Sequence, residues 1–325
     1  MTGHPDQITH AGFDRVFGSG GLTLGLMFPI EAYQGAIPSM SQQTELAIAA
    51  ERGGFAAVWD RDVPLLDPTF GDGGQLFDPW VWLTHIGAAT ERIALGTASV
   101  VLPLRSPIDI AKAAASVDIL TGNRLLLGVA TGDRPIEFPA FGVDYQQRGA
   151  LFRKSVTTLR RVWSEHFPEL DTPAGPMQNL DVLPKPSGGR VPLFVTGRSQ
   201  QDLGWIARNA DGWLSYPCGV TEQGQRIETW RKALADCGEP EKPFAQSLYI
   251  DLATDPNQSA SGIHLGYRLG RNRLLAHLTA LEQIGVRHVM LNLKYGRRPA
   301  TDVVAELVEH VVPHFPAETA PESSR

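Results

Sequence analysis

The sequence predicts an α/β protein, an eight-stranded parallel β/α (TIM) barrel with insertions at its C-terminal mouth. Three observations carry this. Short apolar runs alternate with amphipathic stretches, which is the pattern of repeated strand-helix units in a parallel sheet. The runs are nearly continuous in Leu, Val, Ile and Ala, as strands covered on both faces require. Eight such pairs within 325 residues suit a closed barrel of about 250 residues plus insertions better than an open sheet.

The eight strand candidates, in order, are 22–30, 55–60, 93–102, 124–131, 192–196, 211–216, 245–253 and 287–293. Helices are expected over 41–52, 78–90, 107–121, 147–164, 199–209, 221–236, 271–284 and 301–312. Their ends carry recognisable chemistry. Ser106 supplies a capping hydroxyl before Pro107 at the first helical position, and Gly122 after Thr121 supplies the stop. Leu151, Phe152, Val156, Leu159, Val162 and Trp163 recur at three- and four-residue spacing, so that helix buries one stripe against the sheet. The excess length falls in four segments, 61–77, 133–146, 166–190 and 254–270, all rich in Gly, Pro or polar residues. One barrel domain over 22–315 is expected, with a flexible leader at 1–21 and a flexible tail at 316–325.

Composition narrows the function classes. With 29 Lys and Arg against 35 Asp and Glu the net charge is −6, so there is no basic field to draw in a nucleic-acid backbone or an anionic membrane. Cys218 and Cys237 lack metal-knuckle spacing and suit a reducing compartment, so a cytoplasmic location is expected. No metal site is expected: there is no HExxH, and Pro313 breaks the helix that would align His310 with His314. The glycines at 18–21 precede a strand instead of linking strand to helix, which is not a dinucleotide fingerprint.

The informative stretch is 93–132, IALGTASVVLPLRSPIDIAKAAASVDILTGNRLLLGVATG. A strand ending in Gly-Thr, then Leu-Pro-x-Arg-x-Pro, a helix closing on Asp-x-Leu-Thr-Gly-Asn-Arg and a strand Leu-Gly-Val-x-x-Gly resemble the bacterial luciferase-like flavin-dependent oxidoreductase (monooxygenase) family. The likeness continues through Phe141-Gly142, Leu183-Pro184-Lys185-Pro186, Thr196-Gly197-Arg198-Ser199 and Ala210-Asp211-Gly212.

That resemblance implies an FMN-binding enzyme, with a deazaflavin coenzyme as the alternative. It implies that the ring lies against a bulge in the third strand, at Thr97, Ala98 and Ser99, with a cis peptide at Ala98-Ser99. Small side chains there leave room for an aromatic ring, although a plain barrel strand also tolerates them. The resemblance places the phosphate at Ala130, Thr131 and Gly132 and at Gly197, Arg198 and Ser199. Ser199 with Asp202 three residues on reads as a helix cap, and a helix start favours an anion. Lys294, Arg297 and Arg298 after the eighth strand form a competing basic site.

Catalytic groups belong at the C-terminal ends of barrel strands. Asp62 is the first candidate acid or base and Glu31 the second, because a carboxylate beside an apolar ring titrates nearer neutrality. An ion pair of the Asp60/Asp62 pair with Arg61 or Arg105 is the plain alternative. Many relatives place a histidine after the second-strand acid where this chain has Val63, which separates it from light-emitting chemistry. The expected function is a monooxygenase using reduced FMN and oxygen on a small organic substrate, served by a separate flavin reductase. The alternatives are deazaflavin-dependent hydride transfer, a non-catalytic flavin binder and, more distantly, a hydrolase. A homodimer is expected through helices near the second and third strands, with the alanine-rich run from Ile110 to Val117 as a close-packing face.

Overall fold

The computed structural model describes residues 10–67, 69–70 and 73–318. Eight strands form the barrel: β1 (Thr23–Met27), β2 (Ala57–Asp60), β3 (Ala94–Thr97), β4 (Leu125–Ala130), β5 (Leu193–Thr196), β6 (Gly212–Ser215), β7 (Phe244–Leu252) and β8 (His288–Asn292). Each pairs in parallel with the next, and β8 pairs with β1 through Thr23↔His288 to Leu26↔Leu291, so the sheet closes on itself. The first helix, α1 (Ala11–Phe17), precedes β1. The helices that follow the strands are α2 (Gln43–Arg52), α3 (Pro79–Ala89), α4 (Pro107–Leu120), α5 (Arg148–Ser164), α6 (Leu203–Asn209), α7 (Val220–Asp236), α8 (Arg271–Ile284) and α9 (Ala300–His310).

Strand side chains alternate between the helix layer and the barrel interior. Leu24, Leu26, Val58, Leu95, Leu127 and Val195 join the outer core with the helices. Met27, Trp59, Leu126, Phe194, Leu214 and Met290 fill the interior. The expected caps on α4 are present: Ser106 accepts from the Asp109 N–H at 3.4 Å, with Pro107 as the first helical residue.

The leader differs from expectation. Residues 11–17 are helical, and Phe13 and Phe17 pack on Phe194 at centroid distances of 6.2 and 5.4 Å, closing the N-terminal end of the barrel. His10 fixes this plug, its Nδ1 accepting from the Phe13 N–H and its Nε2 lying 2.9 Å from Asp118. Apolar burial beneath the barrel outweighs the glycine-rich composition that suggested a loose segment. The tail is tied down as far as it is described, Ala317 packing on the same cluster and the Glu318 N–H donating to Arg15 O. Residues 1–9 and 319–325 lie outside the described residues.

Three of the four insertions follow strands and so stand at the mouth. The segment 166–190 connects α5 to β5 and therefore lies at the other end; it folds into a hairpin (Leu170–Thr172 with Gly175–Met177), and Lys185 anchors it to the Val162 and Glu165 carbonyls. The last insertion also contains a hairpin, Ser261–Ile263 with Gly266–Leu269, whose second arm pairs with the upper half of β7. Of the four alanines of α4 only Ala113 is partly exposed. Ala111, Ala114 and Ala115 are buried in the core, and the exposed apolar groups nearby are Val81, Ile119 and Leu120. Among the described residues no helix is long and apolar enough to cross a membrane, and no cluster of metal-binding side chains occurs.

Candidate active site at the barrel mouth

The floor of the mouth is Trp59, whose ring lies so close beneath Gly96 that a Cβ there would sit 2.2 Å from Trp59 Cε3. Trp59 Nε1 donates to His288 Nε2 at 2.8 Å, which leaves His288 Nδ1 as the protonated nitrogen facing Thr23 Oγ1 at 2.8 Å. Burial pushes the imidazole down to about 3, so it stays neutral and structural.

Above this floor the β3–β5 side of the mouth is built from small residues. The β3–β4 register runs Gly96↔Leu126 and then Val100↔Val129, so β3 carries one extra residue and bulges at Ala98 and Ser99. Ala98-Ser99 is cis, as the resemblance implied. The Ser99 and Thr196 hydroxyls touch across the mouth. Ala98, Ser99, Ala130 and Gly132 are half-buried at this wall, whereas Thr97 is fully buried and donates its hydroxyl to Gly128 O at 2.8 Å. Thr131 is likewise buried.

Ser199 does not cap a helix. It adopts a left-handed conformation (φ 43), as do Gly197 (φ 57) and Gln200 (φ 58), and its hydroxyl donates back to Thr196 O at 2.9 Å. The helix begins four residues later, where the Asp202 carboxylate accepts from the Trp205 N–H at 2.7 Å. The turn instead leaves the N–H groups of Arg198, Ser199 and Gln200 without hydrogen bonds among the described residues, beside the exposed Arg198 side chain. Such a run of backbone donors is a concavity for an anion.

Both proposed acids are engaged in contacts within the protein. Asp62 is clamped by Arg105, whose Nε and Nη2 reach its two oxygens at 2.8 and 2.7 Å, and it also accepts from the Val101 N–H at 3.2 Å. Arg105 extends to Asp78, the cap of α3, at 3.0 Å. The expected ion pair with Arg105 is present, and it forms a brace from β2 to the segment just beyond the β3 bulge. Glu31 is used by its own loop, accepting from the Ser39 N–H and hydroxyl and from the Met40 N–H. Asp60 is the buried acid that sequence reasoning passed over. One oxygen accepts from the Arg61 N–H at 2.9 Å, the other has no partner among the described residues, and desolvation raises its carboxyl well above the usual range.

The opposite side of the mouth is aromatic. Tyr249 lies in upper β7 and Tyr295 follows β8; His264, at the tip of the last hairpin, completes a cluster in which Tyr249, Tyr295 and His264 lie 5.2–5.9 Å apart, whereas Tyr216 after β6 stands beside the 197–200 turn, its Cε2 3.9 Å from where a Gly197 Cβ would be. Lys294 is buried there, donating to Gly35 O at 3.0 Å and lying 4.0 Å from the Tyr33 ring centroid. Arg297 pairs with Asp251 and Arg298 with Glu306, so the competing basic site is a set of structural contacts. Aromatic residues just past strands were the available signal, but His264 reaches the cluster only through the hairpin.

Residues 22–304 match the family described as luciferase-like monooxygenase. Alkanal monooxygenase alpha chain of Photorhabdus luminescens is 26% identical over 201 residues, 61% of this chain and 54% of that one. F420-dependent glucose-6-phosphate dehydrogenase of Mycobacterium tuberculosis is 29% identical over 175 residues, 52% of this chain and 51% of that one. The chain thus matches about half the length of each of these relatives. Among solved structures, an F420-dependent secondary alcohol dehydrogenase superposes with a TM-score of 0.74 at 15% identity, covering 90% of this chain and 98% of the other, which concerns the fold alone.

Proposed function

We propose a reaction for this chain, which belongs to the luciferase-like monooxygenase family: oxidation of a small organic substrate by molecular oxygen with reduced FMN, delivered by a separate flavin reductase. The observation that carries this reading is the small-residue wall at the β3 bulge, where Ala98, Ser99 and Ala130 stand half-buried above the packed barrel interior. Bound FMN supplies the electrons that reduce oxygen.

The protein's part is position and exclusion. Ala98, Ser99 and Ala130 leave space for a planar ring, while Asp62 and Arg105 hold the bulge. The turn at 197–200, with the Arg198 guanidinium, would hold the phosphate. Gly132 (φ 82) keeps the β4 loop close, since a Cβ there would meet Val101 Cγ1 at 2.7 Å. Tyr216, raised by desolvation and next by the Asp133 carboxylate, stays a neutral hydroxyl at the rim.

Deazaflavin-dependent hydride transfer is the second reading, favoured by Val63 standing where many relatives carry histidine and by the similarity to the mycobacterial dehydrogenase. We also propose a homodimer through the face that carries Val81 and Leu120, tested by sedimentation, with a monomer at micromolar concentration contradicting it. Titration with FMN and with the deazaflavin, followed by oxygen consumption in the presence of a reductase, decides the cofactor. Saturable FMN binding with oxygen uptake supports the first reading; binding of the deazaflavin alone overturns it.

A further inference from the structure

We infer that the aromatic side of the mouth is the substrate subsite and that it selects planar ring substrates over linear alkyl chains. This rests on the cofactor lying against the small-residue wall.

Three separated segments deliver the rings. Tyr249 comes from β7, His264 from the hairpin tip and Tyr295 from the loop after β8. Tyr249 and Tyr295 are tilted by 38° at 5.2 Å, while His264 meets Tyr249 and Tyr295 edge-on at 66° and 79°. Offset and edge contacts are the arrangements in which ring quadrupoles attract, and a planar ligand entering beside them finds the same choice of face and edge. Tyr249 is 7% exposed and Tyr295 37%, so the cluster is packed at its base and partly exposed at Tyr295.

The rings are held before any ligand arrives. The Tyr249 N–H donates to Leu265 O at 3.1 Å and the Ala253 N–H to Leu269 O at 2.9 Å, which locks the hairpin to β7 on both sides of the Asp251–Arg268 ion pair. Lys294 lies 4.0 Å from the Tyr33 centroid and 5.8 Å from that of Tyr295, fixing both faces around one cation. Rings held in this way lose little entropy when a rigid planar molecule packs against them, whereas a flexible chain gives up its rotamers on doing so.

The test uses the full chain and two ten-carbon alcohols, 2-naphthol and 1-decanol, titrated calorimetrically with and without the cofactor that binds. Decanol is the more apolar, so a merely greasy mouth favours it. The expected result is at least tenfold tighter binding of 2-naphthol. Tyr295→Leu, which keeps apolar bulk and removes the ring, should weaken 2-naphthol at least fivefold and decanol less than twofold; Tyr295→Phe should retain 2-naphthol binding. Decanol binding as tightly as 2-naphthol, or equal losses for both probes in Tyr295→Leu, would overturn the inference and leave the rings as packing for the hairpin. The cofactor titration of the same variants separates the two layers: no cofactor binding by wild type defeats the proposed function, while the probe comparison without cofactor still decides the substrate class.

Discussion

The two sides of the mouth are made in opposite ways. On the β3–β5 side the surface is mostly backbone: a bulge, left-handed turns and the small side chains of Ala98, Ser99 and Ala130, with Arg198 and Tyr216 at the turn on its edge and other large groups withdrawn to the floor at Trp59 or outward to Arg105 and Asp62. On the β7–β8 side the backbone is regular and the surface is ring. A wall of small residues accommodates one rigid partner and depends on a brace from behind. A wall of rings supplies contact area itself. The first suits a cofactor shared across a family, the second a substrate that differs from one member to the next.

The largest effect that could break this contrast comes from the brace. Arg105→Ala leaves the Asp62 carboxylate buried beside the Val101 N–H without its guanidinium, and breaking such a pair costs about 3–5 kcal/mol. Urea denaturation should show that loss; one under about 1 kcal/mol would mean the pair behaves as a surface contact. Next is Ala130→Phe, which fills the small wall. Cofactor affinity should fall about 100-fold, or about 3 kcal/mol, with the circular dichroism unchanged, and unchanged affinity would place the ring elsewhere.

Arg198→Ala should weaken FMN by about 1.5–3 kcal/mol, the worth of a charge-assisted hydrogen bond, and leave riboflavin nearly unaffected. Lys294→Ala should alter FMN affinity little; a larger loss there than in Arg198→Ala would move the phosphate to the aromatic side and reverse the comparison. The smallest effect is electrostatic. The Asp60 carboxyl is raised in the folded state, so it holds a proton that the unfolded chain releases, and its contribution is fully present at low pH and lost as pH rises through the raised value. Asp60→Asn should therefore gain thermal stability relative to wild type on going from about pH 5 to pH 8; a constant difference would show that Asp60 does not titrate with folding.

Much of the barrel was legible because a strand covered on both faces has to be apolar throughout, and 93–132 contains two such strands in full. The motif that carried the resemblance divides in two. The Gly-Thr and bulge residues do stand at the mouth. Asp118 and Arg124 stand at the far end, Asp118 accepting from the Leu125 N–H and Arg124 donating to the Gly87 and Thr90 carbonyls, where they tie β4 to its neighbours. Ser199 misled because Ser-x-x-Asp has the local look of a cap, and only the positive φ angles show that the chain turns for three more residues before winding. For Asp62 the sequence left two candidate partners, Arg61 and Arg105, and only the fold shows that it is Arg105, 43 residues away. The aromatic side was legible only at Tyr295 just past a strand, since its rings come from three segments that only the closed barrel brings together.

The proposal places the cofactor ring on the small-residue wall. A crystal structure of the protein soaked with whichever cofactor titrates tests it directly. The ring should lie in van der Waals contact with Ala98, Ser99 and Ala130, with its phosphate on the turn at 197–200. Density for the ring against Tyr249 and Tyr295, with the β3 bulge left bare, would contradict the account.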